Sequence, residues 1–170
     1  LGDVYKRQDT FYVTNTVGST TQGVGLLDNS AGGAMSASVN NLIFDVYSTC
    51  TLAGVYVYPA AAGTITIDLE DNTSAVINTA TATVTAGDIG QRTFIPLNFN
   101  LTPGTGMQLV RNASSVNCWR NNVGVAYPYT IPGVLSITGS TAGAGFYYYF
   151  YDWQISFGCE SPRSPLAIVI

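Results

Sequence analysis

The sequence predicts an all-β protein, an antiparallel β-sandwich that is jelly-roll-like in its strand number, on three observations. Apolar and polar residues alternate over short windows, as half-buried strands require, and no window sustains the 3.6-residue apolar period of an amphipathic helix. Gly, Pro, Asn and Asp interrupt those windows at regular intervals, the pattern of consecutive antiparallel strands. Only 9% of residues are charged while 12% are aromatic, 11 of them Tyr, and Thr, Ser and Asn supply the polarity. β-Branched and aromatic side chains suit a pleated surface.

The elements follow in order. Thr10 to Thr14 is a short alternating strand. Residues 17 to 40 are rich in Gly, Ser and Ala with little apolar pattern, which predicts a long loop with at most one weak strand. Asn41 to Ser48 turns Leu42, Phe44 and Val46 to one side and Asp45 to the other. In Leu52 to Tyr58, Val55 and Val57 oppose Tyr56 and Tyr58. Thr64 to Glu70 directs Ile65, Ile67 and Leu69 inward, and Asp71-Asn72 closes it into a hairpin with Ala75 to Thr85. Gln91 to Asn100, Gly106 to Asn112, Cys118 to Asn121 and Val134 to Thr138 continue the series. The last strand is Phe146 to Phe157, where FYYYFY runs into Asp152-Trp153-Gln154 and the odd-numbered residues from Tyr147 to Phe157 share one side. The roughly nine strands exceed an immunoglobulin domain and favour a jelly roll.

Residues 1–8 stand apart. Asp3 to Gln8 read DVYKRQ, the translation of a transposase end used in shotgun sequencing, and are expected to be an adapter scar. The sandwich is then expected over 9–158, with 159–170 as a final strand or junction to a following domain. Without the scar, four arginines, no Lys and no His face nine carboxylates, a formal charge of −5. Four scattered arginines make no basic face for phosphates, so nucleic acid is not expected as a partner. No apolar run approaches the ~20 residues that cross a bilayer as a helix, and membrane insertion is not expected.

Cys50, Cys118 and Cys159 cannot all pair with one another. A Cys50–Cys118 bridge with Cys159 joined to another domain is one arrangement, and three buried thiols acting as small hydrophobes is the other. Their long spacing and the absence of His disfavour a metal site, and no cofactor is expected. Absence of His also removes Ser–His–Asp, Cys–His and HExxH chemistry. A carboxylate pair of the glycosidase kind is the catalytic possibility left, from Asp45, Asp68, Glu70, Asp71 and Asp152, with Asp68 and Glu70 on one strand face. Asp71, Asn72 and Asp88 have the oxygen chemistry for a structural calcium but not a calcium-loop pattern.

Sugars present C–H faces that stack on aromatic rings and hydroxyls that pair with planar polar groups. Trp119, Arg120, Asn121 and Asn122, followed by Tyr127 and Tyr129, bring that composition together and are the candidate ligand-binding residues, against the alternative that the rings serve core packing. A possible polysaccharide or surface glycan is the partner this implies.

The succession FYVTNT, LIFDVYSTCTLAGVYVYPAAAGTITIDLEDN, TFIPLNFNLTPGTGMQLV, WRNNVGVAYPYTIPGVLSITGS and FYYYFYDWQISFGCESPRSPLAIVI resembles an accessory β-domain of large secreted proteins of gliding and gut bacteria with type IX secretion. The resemblance spans most of residues 9 to 160 and is most specific at Tyr127 to Ser140 and at the aromatic strand ending in YDW. GCESPRSP resembles the last strand of an Ig-like repeat. It implies a secreted or cell-surface location beside other domains of one polypeptide, with no assigned activity. The expected function is a non-catalytic adhesion or carbohydrate-binding module. A structural spacer between modules is the alternative, and a carboxylate-based glycoside hydrolase a third reading.

Overall fold

The computed structural model describes residues 9–13, 16–160 and 164–168, with side chains over 18–158; residues 1–8, including the expected adapter scar, lie outside them. The strands are β1 (Asp9–Val13), β2 (Thr16–Val24), β3 (Gly33–Ser36), β4 (Leu42–Val46), β5 (Cys50–Val57), β6 (Gly63–Glu70), β7 (Val76–Val84), β8 (Thr93–Leu101), β9 (Gly104–Arg111), β10 (Cys118–Asn121), β11 (Tyr129–Ile131), β12 (Leu135–Ser140), β13 (Tyr147–Tyr148), β14 (Tyr151–Glu160) and β15 (Ser164–Ile168). A 3-10 turn at Ala86–Asp88 is the one helical element among the described residues. The chain divides into two compact units, and Thr21–Phe157 forms the larger. In the other, β1 and β15 pair antiparallel as a ribbon.

The larger unit is an antiparallel β-sandwich. One sheet has the order β2-β14-β5-β8, the other β11-β12-β4-β9-β6-β7, and β13-β10-β3 forms a small third sheet. Of the eight principal strands β2, β4, β5, β6, β7, β8, β9 and β14 in chain order, the first pairs with the last, the second with the seventh, the third with the sixth and the fourth with the fifth. That is one long hairpin doubled over on itself, the jelly-roll arrangement. Its remaining contacts, β14 with β5 and β9 with β6, close the two four-stranded halves. The strands β10 to β13 lie in the connection from β9 to β14, and β12 and β11 extend the sheet beyond β4.

Alternation sorts the core as the sequence predicts. Leu42, Phe44, Val46, Ile65, Ile67 and Leu69 are buried on one sheet, and Leu52, Val55, Val57, Ile95, Phe99, Trp153 and Ile155 on the other. Trp153 spans the two layers: its ring meets Phe44 edge-on at 5.1 Å, and its indole N–H donates to Phe150 O at 2.8 Å.

Two expectations are corrected. The long loop over 17–40 contains most of β2, a strand of the principal sheet, and β3. Only Val24 of the β2 side chains described is buried, so backbone pairing with β14 holds it rather than an apolar face. The aromatic run is not one strand. Tyr149 adopts a left-handed φ of 69° and Phe150 N–H turns back to Tyr148 O at 3.0 Å, so the chain leaves β13 and re-enters at β14. This corner buries Tyr147 to Tyr151 completely or nearly so, leaving no exposed apolar face there. Tyr58 is buried against Tyr151, their rings 5.2 Å apart edge-on.

Of the two arrangements open to the thiols, Cys50 and Cys118 take the second, as buried small hydrophobes. Cys50 and Cys118 are both buried and free. Cys50 opens β5, whereas Cys118 bridges Pro59 beyond the other end of that strand. At about 3.3 Å per residue the two stand roughly 25 Å apart, well beyond the ~7 Å Cα limit for a disulfide. Burial pushes the Cys50 thiol up to about 11 and that of Cys118 up to about 12, so both stay protonated and unreactive at neutral pH. The side chain of Cys159 lies outside the described residues.

Arg111 ends β9 on the inward side, in step with Met107 and Leu109, and is 1% exposed. Its guanidinium donates to Ser115 O at 2.8 Å and Ala37 O at 3.0 Å, with longer contacts to Asn112, Val116 and Ser38 carbonyls, and lies 5.0 Å from the Tyr149 ring centre. It joins the loops after β3 and β9 through backbone acceptors alone among the described residues.

Candidate functional site

The sequence-predicted binding segment is distributed between strand and loop. Trp119, Arg120 and Asn121 lie on β10, where alternation sends neighbours to opposite faces. Trp119 is half-buried, its indole nitrogen enclosed without a hydrogen-bond partner among the described residues. Arg120 stands opposite Tyr148 and rests its guanidinium 5.1 Å from the Phe146 ring centre. Asn121 is fully buried and accepts the Tyr151 hydroxyl at 2.7 Å, while Asn122 is exposed.

Tyr127 and Tyr129 are half-buried, and their rings meet edge-on at 5.4 Å. Both pack on buried Tyr147, at 6.0 Å and 5.5 Å. The Tyr127 hydroxyl donates to Phe146 O at 2.8 Å, and that of Tyr129 accepts from Ala126 N–H at 2.9 Å. Burial raises the Tyr127 phenol above the usual tyrosine range. The segment's tyrosines are thus engaged in holding the β9–β14 connection, and its planar polar groups do not converge on one surface.

A different surface has the composition the segment was expected to supply. On the outer face of the sheet β2-β14-β5-β8, Tyr56 of β5 lies opposite Phe94 of β8 on one side and Tyr151 of β14 on the other. The Tyr56 and Phe94 rings are 5.1 Å apart and inclined at 56°, and Phe94 is 41% exposed. The guanidinium of Arg92, just before β8, lies 3.4 Å above the Tyr56 ring centre. Its Nη2 donates to Asp152 Oδ2 at 2.5 Å. Gln154 Nε2 donates to Asp152 O at 3.0 Å, which leaves its amide oxygen without a donor among the described residues.

The backbone is shaped around this cluster. Tyr151 pairs with Tyr56 and Gln154 with Gly54, so Asp152 and Trp153 stand against Val55 alone and β14 carries an extra residue at Asp152. Asp152 has a φ of 40° there, and its N–H donates to Leu26 O at 2.8 Å. A Cβ at Gly54 would come within 2.4 Å of the Phe94 ring, and one at Gly23 within 2.2 Å of Asp152 Oδ1. Both glycines therefore let a side chain of the cluster lie flat on the sheet. Hydrogen bonds from Ser30 hold Asp28 below the usual aspartate range, with a smaller contribution from the Arg92 charge.

Comparison with protein-family models, curated proteins and solved structures finds no match to this chain.

Of the carboxylates considered for catalysis, Asp45, Asp68 and Asp71 are taken up in hydrogen bonds to their own strands and turns. Asp68 is buried, not solvated as its strand position suggested; it accepts from the Thr79 hydroxyl at 2.7 Å and Asn112 Nδ2 at 3.0 Å. Burial, aided by Asp68 and Asp71, raises Glu70 above the usual carboxylate range. Asp45 accepts Gly106 N–H at 2.8 Å. Asp71 Oδ1 accepts from the Thr73 hydroxyl and from the N–H groups of Thr73 and Ala75, and Asp88 holds Thr85 in the same manner. A concavity of about 210 Å³ lies between the β6–β7 and β8–β9 turns, lined by Asp71, Asn72, Thr102, Pro103 and Met107 among others. No cluster of three metal-ligating side chains occurs among the described residues.

Proposed function

We propose that this chain is a non-catalytic glycan-binding or adhesion module of a larger secreted or surface-attached bacterial protein, and that it binds through the outer face of the sheet β2-β14-β5-β8. The observation that supports this reading is the half-exposed Phe94 beside the Tyr56–Arg92 stack, with Asp152 and Gln154 at its edge. An apolar ring flanked by planar donors and acceptors suits a pyranose, which offers a C–H face and a rim of hydroxyls. A flat site on one sheet also suits a polymer, since successive sugar units extend across it without a deep pocket.

Phe94→Ala removes an exposed ring and leaves the core intact, so the expected effect is on binding. On an immobilised panel of plant, algal and bacterial polysaccharides, the variant is expected to lose about tenfold or more in affinity. Unchanged thermal unfolding would separate that loss from misfolding. Retention of full affinity by Phe94→Ala would remove this face from consideration.

One observation favours the spacer reading. The edge strand β7 exposes Thr79, Thr81 and Thr83 and carries no charge, a smooth surface suited to packing beside neighbouring modules. Absence of binding across the whole panel would favour that role.

A further inference from the structure

We infer that the Arg92–Asp152 pair makes this surface select neutral glycans with adjacent free hydroxyls over acidic ones, and that Asp152 is the residue that sets the selection. The inference rests on the glycan-binding reading and goes on to name its ligand class.

The guanidinium is already charge-matched. Arg92 Nη2 meets Asp152 Oδ2 at 2.5 Å, and the two side chains are 35% and 18% exposed. A guanidinium paired with a carboxylate gives a surface with no net positive charge to offer an anion. A uronate placed on Phe94 would bring a second carboxylate to the same guanidinium, beside Asp152, and juxtaposed like charges work against binding. A neutral sugar meets no such repulsion. Arg92 Nε and Nη1 have no protein acceptor among the described residues and can donate to one hydroxyl, while Asp152 or the Gln154 amide oxygen accepts from its neighbour. Adjacent hydroxyls match that alternation of donor and acceptor.

The placement of Asp152 is difficult to explain by stability alone. An ion pair this exposed is commonly a small contributor to folding, and a left-handed residue other than glycine is a conformation that folding does not favour. The extra residue in β14 nevertheless turns this carboxylate onto Arg92, and Gly23 leaves room beneath it. Bulges that re-aim one side chain are frequent beside functional sites.

The test compares hexamers matched in linkage and anomeric configuration that differ only in bearing CH2OH or carboxylate at the sugar C6: mannan against mannuronate oligomers, and galactan against galacturonate oligomers of the same linkage. Titration calorimetry is run on the wild type, Asp152→Asn and Asp152→Asn/Arg92→Gln. Asn tolerates the left-handed backbone, and unfolding curves check that each variant is folded. The wild type is expected to bind a neutral member at least about tenfold more tightly than its uronate counterpart. Asp152→Asn should narrow or reverse that ratio, and the double variant should lose the gain for uronate. Equal or tighter wild-type binding of the uronate would overturn the selection while leaving glycan binding intact, and so would an unchanged ratio in Asp152→Asn. If folded wild type binds neither these oligomers nor the polysaccharide panel, the glycan-binding reading itself fails, and the selection with it.

Discussion

Trp153→Ala is expected to lower the unfolding free energy by about 3–5 kcal/mol, the usual range for truncating a large core aromatic. Trp153 is fully buried at the meeting of the two sheets, so its loss leaves a cavity lined by both. Two smaller effects add to this. The edge-on contact with Phe44 disappears, and Phe150 O loses its indole donor in the corner between β13 and β14. Against a typical total of about 5–15 kcal/mol, the variant should unfold at a much lower urea midpoint, by about 1–3 M for ordinary slopes. Trp153→Phe should fall between, since it keeps an aromatic ring and loses the N–H. A loss below about 1 kcal/mol for Trp153→Ala would mean that the sheets close over the gap, contrary to the packing described.

Arg111→Ala is expected to cost about 3 kcal/mol, measured in the same way. A hydrogen bond from a charged donor is worth about 1.5–3 kcal/mol, and Arg111 makes two at good length, to Ser115 O and Ala37 O. Each carbonyl that stays buried without a donor then opposes folding. Arg111→Met separates volume from hydrogen bonding, because it fills much of the space and donates nothing. A loss in Arg111→Met close to that in Arg111→Ala would assign the effect to the carbonyls; a near-neutral Arg111→Met would mean that desolvating the guanidinium offsets what its hydrogen bonds contribute. Arg111→Lys should restore little, since a single ammonium does not reproduce a fork that reaches two loops.

Arg111 also shows where sequence reading reaches its limit. Met107, Leu109 and Arg111 alternate, so a period of two is consistent with an inward arginine, but an unpaired charge in a core runs against composition. Strands such as β4, β6 and β10 were legible because an apolar face or a turn marked them. β2 was not, because its side chains face solvent and its hydrogen bonds to β14 leave no trace in composition. In the aromatic run, identical side-chain chemistry before and after Tyr149 hid the corner that its φ of 69° creates.

The candidate site divides in the same way. The sequence drew together Trp119, Arg120, Asn121, Asn122, Tyr127 and Tyr129 because they are close in the chain. Tyr56, Arg92, Phe94 and Asp152 come from three distant segments, and only the pairing of β5 with both β8 and β14 makes them neighbours. The outward position of Tyr56 and the polar side occupied by Asp152 were each readable from alternation. Strand order was not, and the surface depends on strand order.

The most direct test of this account is to map a bound glycan by backbone and side-chain NMR shifts, using whichever polysaccharide fragment binds best on the panel. The largest changes are expected at Tyr56, Arg92, Phe94, Asp152 and Gln154, with Trp119 and Tyr127 little affected. Shifts centred on Trp119 to Tyr129 would contradict it, and would return the binding site to the segment first marked by the sequence.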